Sequence, residues 1–359
     1  MANKKASVTL VDVAREAGVS VMTASRALSG EGYASEETRS KVQAAAKQLG
    51  YAPNALARMM KGGKTNVIGI VVNDLSSQVV NAFVTALSVE VRKVEMDMFI
   101  YSTMGTLGEG RGAAVSQMLH GLWDGLIYVL PCMTDDFLKS LENASSPVLL
   151  LNYFRHETPL PVVRGDNYNG AQDAVSHLIE LGHRRIAFVG GTAFTGQSDL
   201  RERGYLAALA DAGIAADPSL IYQGNFQELS GLEAGRHLLA LEQPPTAIFA
   251  ASDTMALGCM NAIRERGLAI PQDISVVGFD DIPAASLAQP PLTTLRHPFQ
   301  AMAQAAVQEL LRRIRSEPGR RQRVEFPSEF VIRESTGPAP RTAAATPRKR
   351  AAARKADSA

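Results

Sequence analysis

From Val67 onward the chain alternates between two hydrophobic periods, and this alternation constrains the fold more than any single motif. Short apolar runs suited to buried strands occupy 67–72, 98–101, 126–130, 148–152, 186–189, 247–251 and 275–279. Segments of helical period separate them, among them 82–94, 170–181, 201–212, 231–241 and 255–266. Parallel strands need long crossovers, and helices supply them, so the pattern predicts a doubly wound parallel α/β sheet. About 270 residues is large for one such sheet, which predicts two lobes, here spanning 65–336. Residues 337–359 are rich in Ala, Pro and basic side chains and are expected to be a disordered basic tail.

The first 64 residues have a different character. Thr9 can cap a helix over 10–17, with Asp12 in its first turn. Gly18 breaks that helix. Ser20 caps a second over 21–28, and Ser35 a third that runs to Leu49, where Gly50 suits the left-handed C′ position. Val13, Ala14, Val19, Ala24, Leu28, Val42, Ala45 and Leu49 form the expected small core. Pro53 then opens a short helical stretch, 54–60, and Lys61-Gly62-Gly63-Lys64 is a linker.

Charge follows the same division. The net charge is only +1, yet residues 1–64 and the segment from Ser335 onward each carry +5, so the middle holds −9. Basic ends on an acidic body point to a polyanionic partner. The two cysteines, Cys132 and Cys259, are far apart and suggest neither a disulfide framework nor a zinc site. No run of apolar residues is long enough to span a bilayer, and no apolar leader opens the chain. A cytoplasmic, nucleoid-associated protein without membrane contact is expected.

Enzyme signatures are weak. Val189-Gly190-Gly191-Thr192 lacks both the Gly-Lys-Ser/Thr ending of a phosphate loop and the GxGxxG spacing. No G-x-S-x-G elbow occurs, and the histidines at 120, 156, 177, 183, 237 and 297 form no close metal pair. No metal, cofactor or catalytic residue is expected.

Two short helices across Gly18 give either a plain helical hairpin or a helix-turn-helix. In the second case the 21–28 helix enters the major groove by its N-terminal end. Arg26 can then bond bidentately to a guanine, Val21 and Met22 can touch thymine methyls, and Ser20, Thr23 and Ser25 are sized for phosphates. The segment resembles the DNA-binding headpiece of the lactose/galactose repressor (LacI/GalR) family, through Val19-Ser20…Thr23…Ser25-Arg26, Thr38-Arg39…Val42 and Leu49-Gly50-Tyr51…Pro53-Asn54. The resemblance implies that Asn54, Ala57, Arg58 and Met60 belong to a hinge helix that enters the minor groove, with Met60 as the wedge where leucine is usual.

The resemblance continues in the large domain, which looks like a type I periplasmic sugar-binding protein. The matching runs are Asp166-Asn167…Gly170-Ala171, His177-Leu178…Gly182-His183-Arg184-Arg185-Ile186, Asp253 to Gly258, Ser275 to Asp281, Pro291-Leu292-Thr293-Thr294 and Arg333 to Gly337. A ligand then lies between the lobes, at the carboxyl ends of the strands. Asn152, Ser252, Asp253 and Asp280 each follow a strand run. The family places ligand contacts at Arg201 and Phe226, and His297 falls where the chain crosses between lobes again. Asp280 and Asp253 could instead cap helices, which is favoured for Asp253, and Arg201 could be a surface ion pair. His183 with Arg184-Arg185 is expected to form a solvated helix end. Relatives often place Asn-Pro-Phe-Phe after the first strand, where Ser77-Gln78-Val79-Val80 stands here. Ser77 is kept as a ligand candidate, but the aromatic wall is missing, which leaves room for a smaller, acidic or non-sugar ligand.

The resemblance implies a regulator, usually a repressor, whose affinity for operator DNA is set by a sugar or sugar derivative. Activation is the other outcome, and a ligand-binding protein without a DNA role is the alternative that residues 8–64 argue against. The tail lacks leucine heptads, so a twofold homodimer is expected, on a pseudo-palindromic operator with half-sites about one helical turn apart. The basic tail either adds phosphate contacts or is inert.

Overall fold

The computed structural model describes residues 8–29, 33–51, 65–103, 122–192, 196–318 and 323–340. The expected hinge residues Asn54, Ala57, Arg58 and Met60, and the tail from residue 341, lie outside the described residues.

Three helices make the N-terminal unit: α1 (Leu10–Glu16), α2 (Val21–Ser29) and α3 (Glu36–Leu49). Their starts are set locally. The Asp12 carboxylate accepts hydrogen bonds from the Thr9 N–H at 3.0 Å and the Thr9 hydroxyl at 2.7 Å. Ser20 Oγ accepts the Thr23 N–H at 3.1 Å, and Ser35 Oγ accepts the Thr38 N–H at 3.3 Å. Each cap satisfies a backbone donor that the first helical turn leaves open. Gly50 ends α3 with φ of 65°, a conformation that a Cβ would disfavour. Val13, Ala14, Ala24, Ala27, Val42, Ala45 and Ala46 are buried together, with Val19, Leu28 and Leu49 packed on them. Small side chains at the centre let three short helices approach closely.

The larger unit holds two parallel sheets. The first lobe contains β1 (Val67–Val72), α4 (Gln78–Lys93), β2 (Asp97–Ser102), β3 (Gly125–Val129), α5 (Asp135–Glu142), β4 (Val148–Leu151) and β5 (Val162–Gly165). The chain then crosses to the second lobe: α6 (Tyr168–Glu180), β6 (Ile186–Gly190), α7 (Gln197–Asp211), β7 (Ile221–Gln223), α8 (Glu228–Leu238), β8 (Ala247–Ala250), α9 (Asp253–Glu265), β9 (Ser275–Val277), α10 (Pro283–Leu287) and β10 (Thr294–Arg296). It returns to the first lobe for α11 (Phe299–Ile314) and β11 (Arg323–Phe326), and crosses a third time into β12 (Glu329–Val331).

The first sheet runs β11-β5-β4-β3-β1-β2 and the second β7-β6-β8-β9, while β10 and β12 pair antiparallel. Strand order reverses at β3/β1 and at β6/β8, the places where a doubly wound sheet opens a crevice beyond its carboxyl ends. Each lobe has its own core. Ile68, Ile70, Phe83, Leu87, Ile127, Leu149, Met302 and Leu310 centre the first; Phe188, Tyr205, Phe249, Met255, Cys259 and Phe279 centre the second. Val79 packs against both.

The alternation of strands and helices therefore stands, with corrections at the edges. β9 ends at Val277, so Gly278 and Phe279 leave the sheet. Residues 337–340 do not belong to a disordered tail: the Gly337 N–H reaches Ser275 Oγ at 3.1 Å and the Ala339 N–H reaches Leu181 O at 2.8 Å. His183 is not a solvated helix end. It is fully buried, with Nδ1 2.9 Å from Thr246 Oγ1 and Nε2 3.0 Å from Gly337 O, and burial lowers its pKa.

Candidate functional site

In the N-terminal unit, the burial of α2 is one-sided. Ala24 and Ala27 face the core, while Val21, Met22 and Arg26 are exposed, Met22 at 65%. Val21 and Met22 are adjacent exposed apolar side chains beside a basic one, an arrangement that suits a surface another molecule covers. Thr23 and Ser25 are half-buried on the flanks. Ser20 is exposed, with its hydroxyl engaged as the cap of α2. The sequence thus delivers one apolar and basic face at the start of a helix that a glycine turn sets off from its neighbour.

In the larger unit, the predicted polar groups converge at the base of the cleft. Arg201 lies in the second turn of α7 and is buried, not a surface ion pair. Its Nε donates to Asn167 Oδ1 at 2.7 Å, Nη1 to the Ala251 carbonyl, and Nη2 to Asp280 Oδ1 at 3.3 Å and His297 Nε2 at 3.3 Å. The guanidinium lies over the Phe279 ring, 3.7 Å from its centroid. Burial lowers its pKa, and the Asp280 charge offsets part of that.

Burial pushes the Asp280 carboxyl up to about 6 against the pull of Arg201. Burial, reinforced by the Arg201 charge, pushes His297 down to about 3, so the ring is neutral near pH 7. Asp253, expected to be a cap, is fully buried and does a different job. Ser252 Oγ caps α9 by accepting the Met255 N–H at 3.2 Å. The Asp253 carboxyl meets Thr294 Oγ1 at 2.5 Å and the Ile282 N–H at 2.8 Å, tying α9 to β10 and to the loop after β9. Burial, then the Asp280 charge, raise its pKa well above the carboxylate range. One guanidinium among these two carboxyls leaves Asp280 as its ionic partner.

Asn152 follows β4 with φ of 60°; its Oδ1 accepts the Gly165 N–H at 3.3 Å, and its carbonyl accepts Gln197 Nε2 at 3.2 Å across the cleft. Ser77 caps α4 by accepting the Val80 N–H at 3.4 Å. Phe226 is half-buried, and its ring covers Gly191 so closely that a Cβ there would lie 2.0 Å from it. Arg201, Asp280 and His297 are thus brought together, Asn152 and Ser252 border them, and Ser77 and Phe226 sit on separate strand-end loops.

Two domain models match the sequence: bacterial regulatory proteins of the lacI family over residues 9–54, and the periplasmic binding protein-like domain over 175–336. The HTH-type transcriptional regulator DegA of Bacillus subtilis (strain 168) is 32% identical over 333 residues, covering 92% of this chain and 98% of that protein. The chain belongs to the LacI family of bacterial regulatory proteins. Among solved structures, this LacI-family regulator is similar to the Lac repressor dimer bound to operator and the anti-inducer ONPF, with a TM-score of 0.81, 31% identity and coverage of 92% and 99% of the two chains. It is also similar to a transcriptional regulator CelR–cellobiose complex, with a TM-score of 0.70, 30% identity and coverage of 91% and 99%.

Sequence reasoning on the regulator missed Asn167, Phe279, Gln197 and Ser328, all of which touch the polar cluster or its cross-cleft contact. Asn167 carried a usable signal, since Asp166-Asn167 follows an apolar Val162-Val163 pair. The apolar run 275–279 hides Phe279 at the end of a predicted strand, whereas β9 stops at Val277. Among the described residues no group of His, Cys, Asp and Glu could hold a metal ion, and no helix is long and apolar enough to cross a membrane.

Proposed function

We propose that this LacI-family regulator is a homodimeric repressor that reads a pseudo-palindromic operator through α2. An uncharged sugar or sugar derivative, held between the lobes, sets its operator affinity. The exposed Val21, Met22 and Arg26 face carries the DNA half of this proposal. Arg26 bonds a guanine, Val21 and Met22 meet thymine methyls, and Ser20, Thr23 and Ser25 sit against phosphates. Asn54, Ala57, Arg58 and Met60 form the minor-groove hinge. The similarity to the operator-bound Lac repressor dimer supports both the DNA and the dimer assignments.

The ligand half rests on charge balance in the cleft. Arg201 already has Asp280 as counter-ion, so an anionic ligand must displace a carboxylate to reach it. Protein hydrogen bonds to the Asp280 and Asn152 side chains use only Oδ1 of each among the described residues, which leaves an acceptor on Asp280 and a donor amide on Asn152. Hydroxyl groups both donate and accept and suit that pair. Arg201, Ser252, His297, Ser77 and Phe226 complete the proposed lining. Cellobiose in the CelR complex is consistent with a carbohydrate class. The ligand is bound and released unchanged, and its preference for one lobe arrangement changes operator affinity by linkage. The protein acts at the nucleoid in the cytoplasm.

A thermal-shift screen of neutral sugars, sugar acids and sugar phosphates tests the ligand class. Stabilisation by neutral sugars is expected. Stabilisation by the acids or phosphates alone overturns the charge argument.

A further inference from the structure

The two lobes are joined by three crossings of the chain: Gly165 to Asn167 between β5 and α6, His297-Pro298 between β10 and α11, and Pro327-Ser328 between β11 and β12. A change in lobe angle must be absorbed at these segments, because hinge motion is taken up by a few residues at the ends of elements. We propose that Arg201 acts as a hinge clamp, joining all three crossings through His297 and Ser328 as positioning residues, so that they move as one unit.

The geometry follows from donor and acceptor rules. Arg201 Nε reaches the first crossing at Asn167, and Nη2 reaches the second at His297 Nε2. A guanidinium has only donors, so Nε2 must accept and Nδ1 must carry the ring proton. Nδ1 then donates to Ser328 Oγ of the third crossing at 3.3 Å. The Ser328 hydroxyl, in turn, donates to Asp166 O at 2.9 Å, back in the first crossing. A direct bond from the Asp166 N–H to Phe326 O at 2.7 Å closes the ring of contacts. The imidazole fits because Gly165 has no side chain: a Cβ there would lie 2.3 Å from Nδ1. Phe279 and the Ala251 carbonyl hold the guanidinium in place. The shared position of Asp280 beside Nη2 links the clamp to ligand occupancy. That link rests on the ligand reading above; the clamp itself does not.

Amide hydrogen exchange on the full, ligand-free protein tests the clamp, so its failure is separate from failure of the ligand reading. The variants are His297→Ala, His297→Gln and Ser328→Ala. Glutamine supplies one acceptor for Arg201 and one donor for Ser328. In His297→Ala and Ser328→Ala, amides at or beside all three crossings, including Asp166, Phe299 and residue 328, should exchange about tenfold faster, while the β8 amides Ile248 and Phe249 keep their rates. His297→Gln should restore the parental pattern. Acceleration confined to the crossing that carries the substitution, or equal acceleration in His297→Gln, overturns the proposal. If His297→Ala does not fold, Ser328→Ala decides, since it removes one hydroxyl and leaves the Arg201–His297 contact.

Discussion

Arg201 Nη2 lies 3.3 Å from Asp280 Oδ1, with both side chains almost wholly withdrawn from water. Such a pair adds little net stability, because desolvation of both charges offsets their attraction, yet losing one partner strands the other. Arg201→Met should therefore destabilise the large domain by about 3–5 kcal/mol in chemical denaturation. Adding Asp280→Asn should recover most of that loss. Additive losses in the double variant would show that the two groups do not depend on each other.

His297 gives a pH prediction of definite sign. Its pKa is pushed from the ordinary 6.5 down to about 3, so the unfolded chain takes up a proton on acidification before the folded chain does. The stability tied to this group is full above the unfolded value and is lost as pH falls through the interval down to about 3. Asp280 works in the opposite sense: raised from 3.8 to about 6, it contributes stability that is full below 3.8 and is lost as pH rises through 6. His297→Gln removes only the histidine contribution. Between pH 7 and pH 5 the variant should lose less thermal stability than the parent, by up to about 1.4 kcal/mol per pH unit. Parallel melting curves across that range would contradict a buried neutral imidazole.

Gly165 leaves no room for a side chain against His297. Gly165→Ala should push the imidazole out of line and destabilise by about 1–3 kcal/mol, the usual cost of overpacking a filled interior. The check is a denaturation curve together with the histidine ring resonances, which should shift for His297 and remain in place for His183.

On α2, Arg26→Ala should lower specific operator affinity by about 1–3 kcal/mol and relax preference at one base pair of each half-site. Melting of the large domain should not change. Met22→Ser should weaken binding less, because it removes apolar contact and no bidentate pair. An Arg26→Ala protein with the parental consensus would remove that residue from base recognition.

Local chemistry made part of this molecule legible in its sequence. Ser20, Ser35 and Gly50 mark helix ends because caps depend on neighbouring residues, and the predicted boundaries of α2 and α3 lie within a residue of those found. The long apolar strands were equally plain. β5, β7, β10, β11 and β12 were missed, since each mixes a polar or charged side chain or a glycine into three or four residues and gains its pairing from remote partners. α11 was overlooked although Met302, Ala303, Ala306, Val307 and Leu310 keep a helical spacing. His183 looked solvated beside two arginines, but Thr246, Ser275 and Gly337, distant in sequence, bury it. The cleft shows the same limit. Strand-end position suggested Asp280 and Asn152, whereas the Arg201–His297–Ser328 relay depends on three crossings that no local pattern reveals.

The central claim, a ligand-switched reader of a two-fold operator, is tested most directly by selecting random duplex DNA on the full chain and titrating the winning sequence with and without a panel of neutral sugars. The account predicts a consensus of two inverted half-sites about one helical turn apart, relaxed at one base pair of each half-site in Arg26→Ala, and an affinity that at least one sugar changes several-fold. A pool with no inverted symmetry, or an affinity that no sugar alters while a sugar acid does, would contradict it.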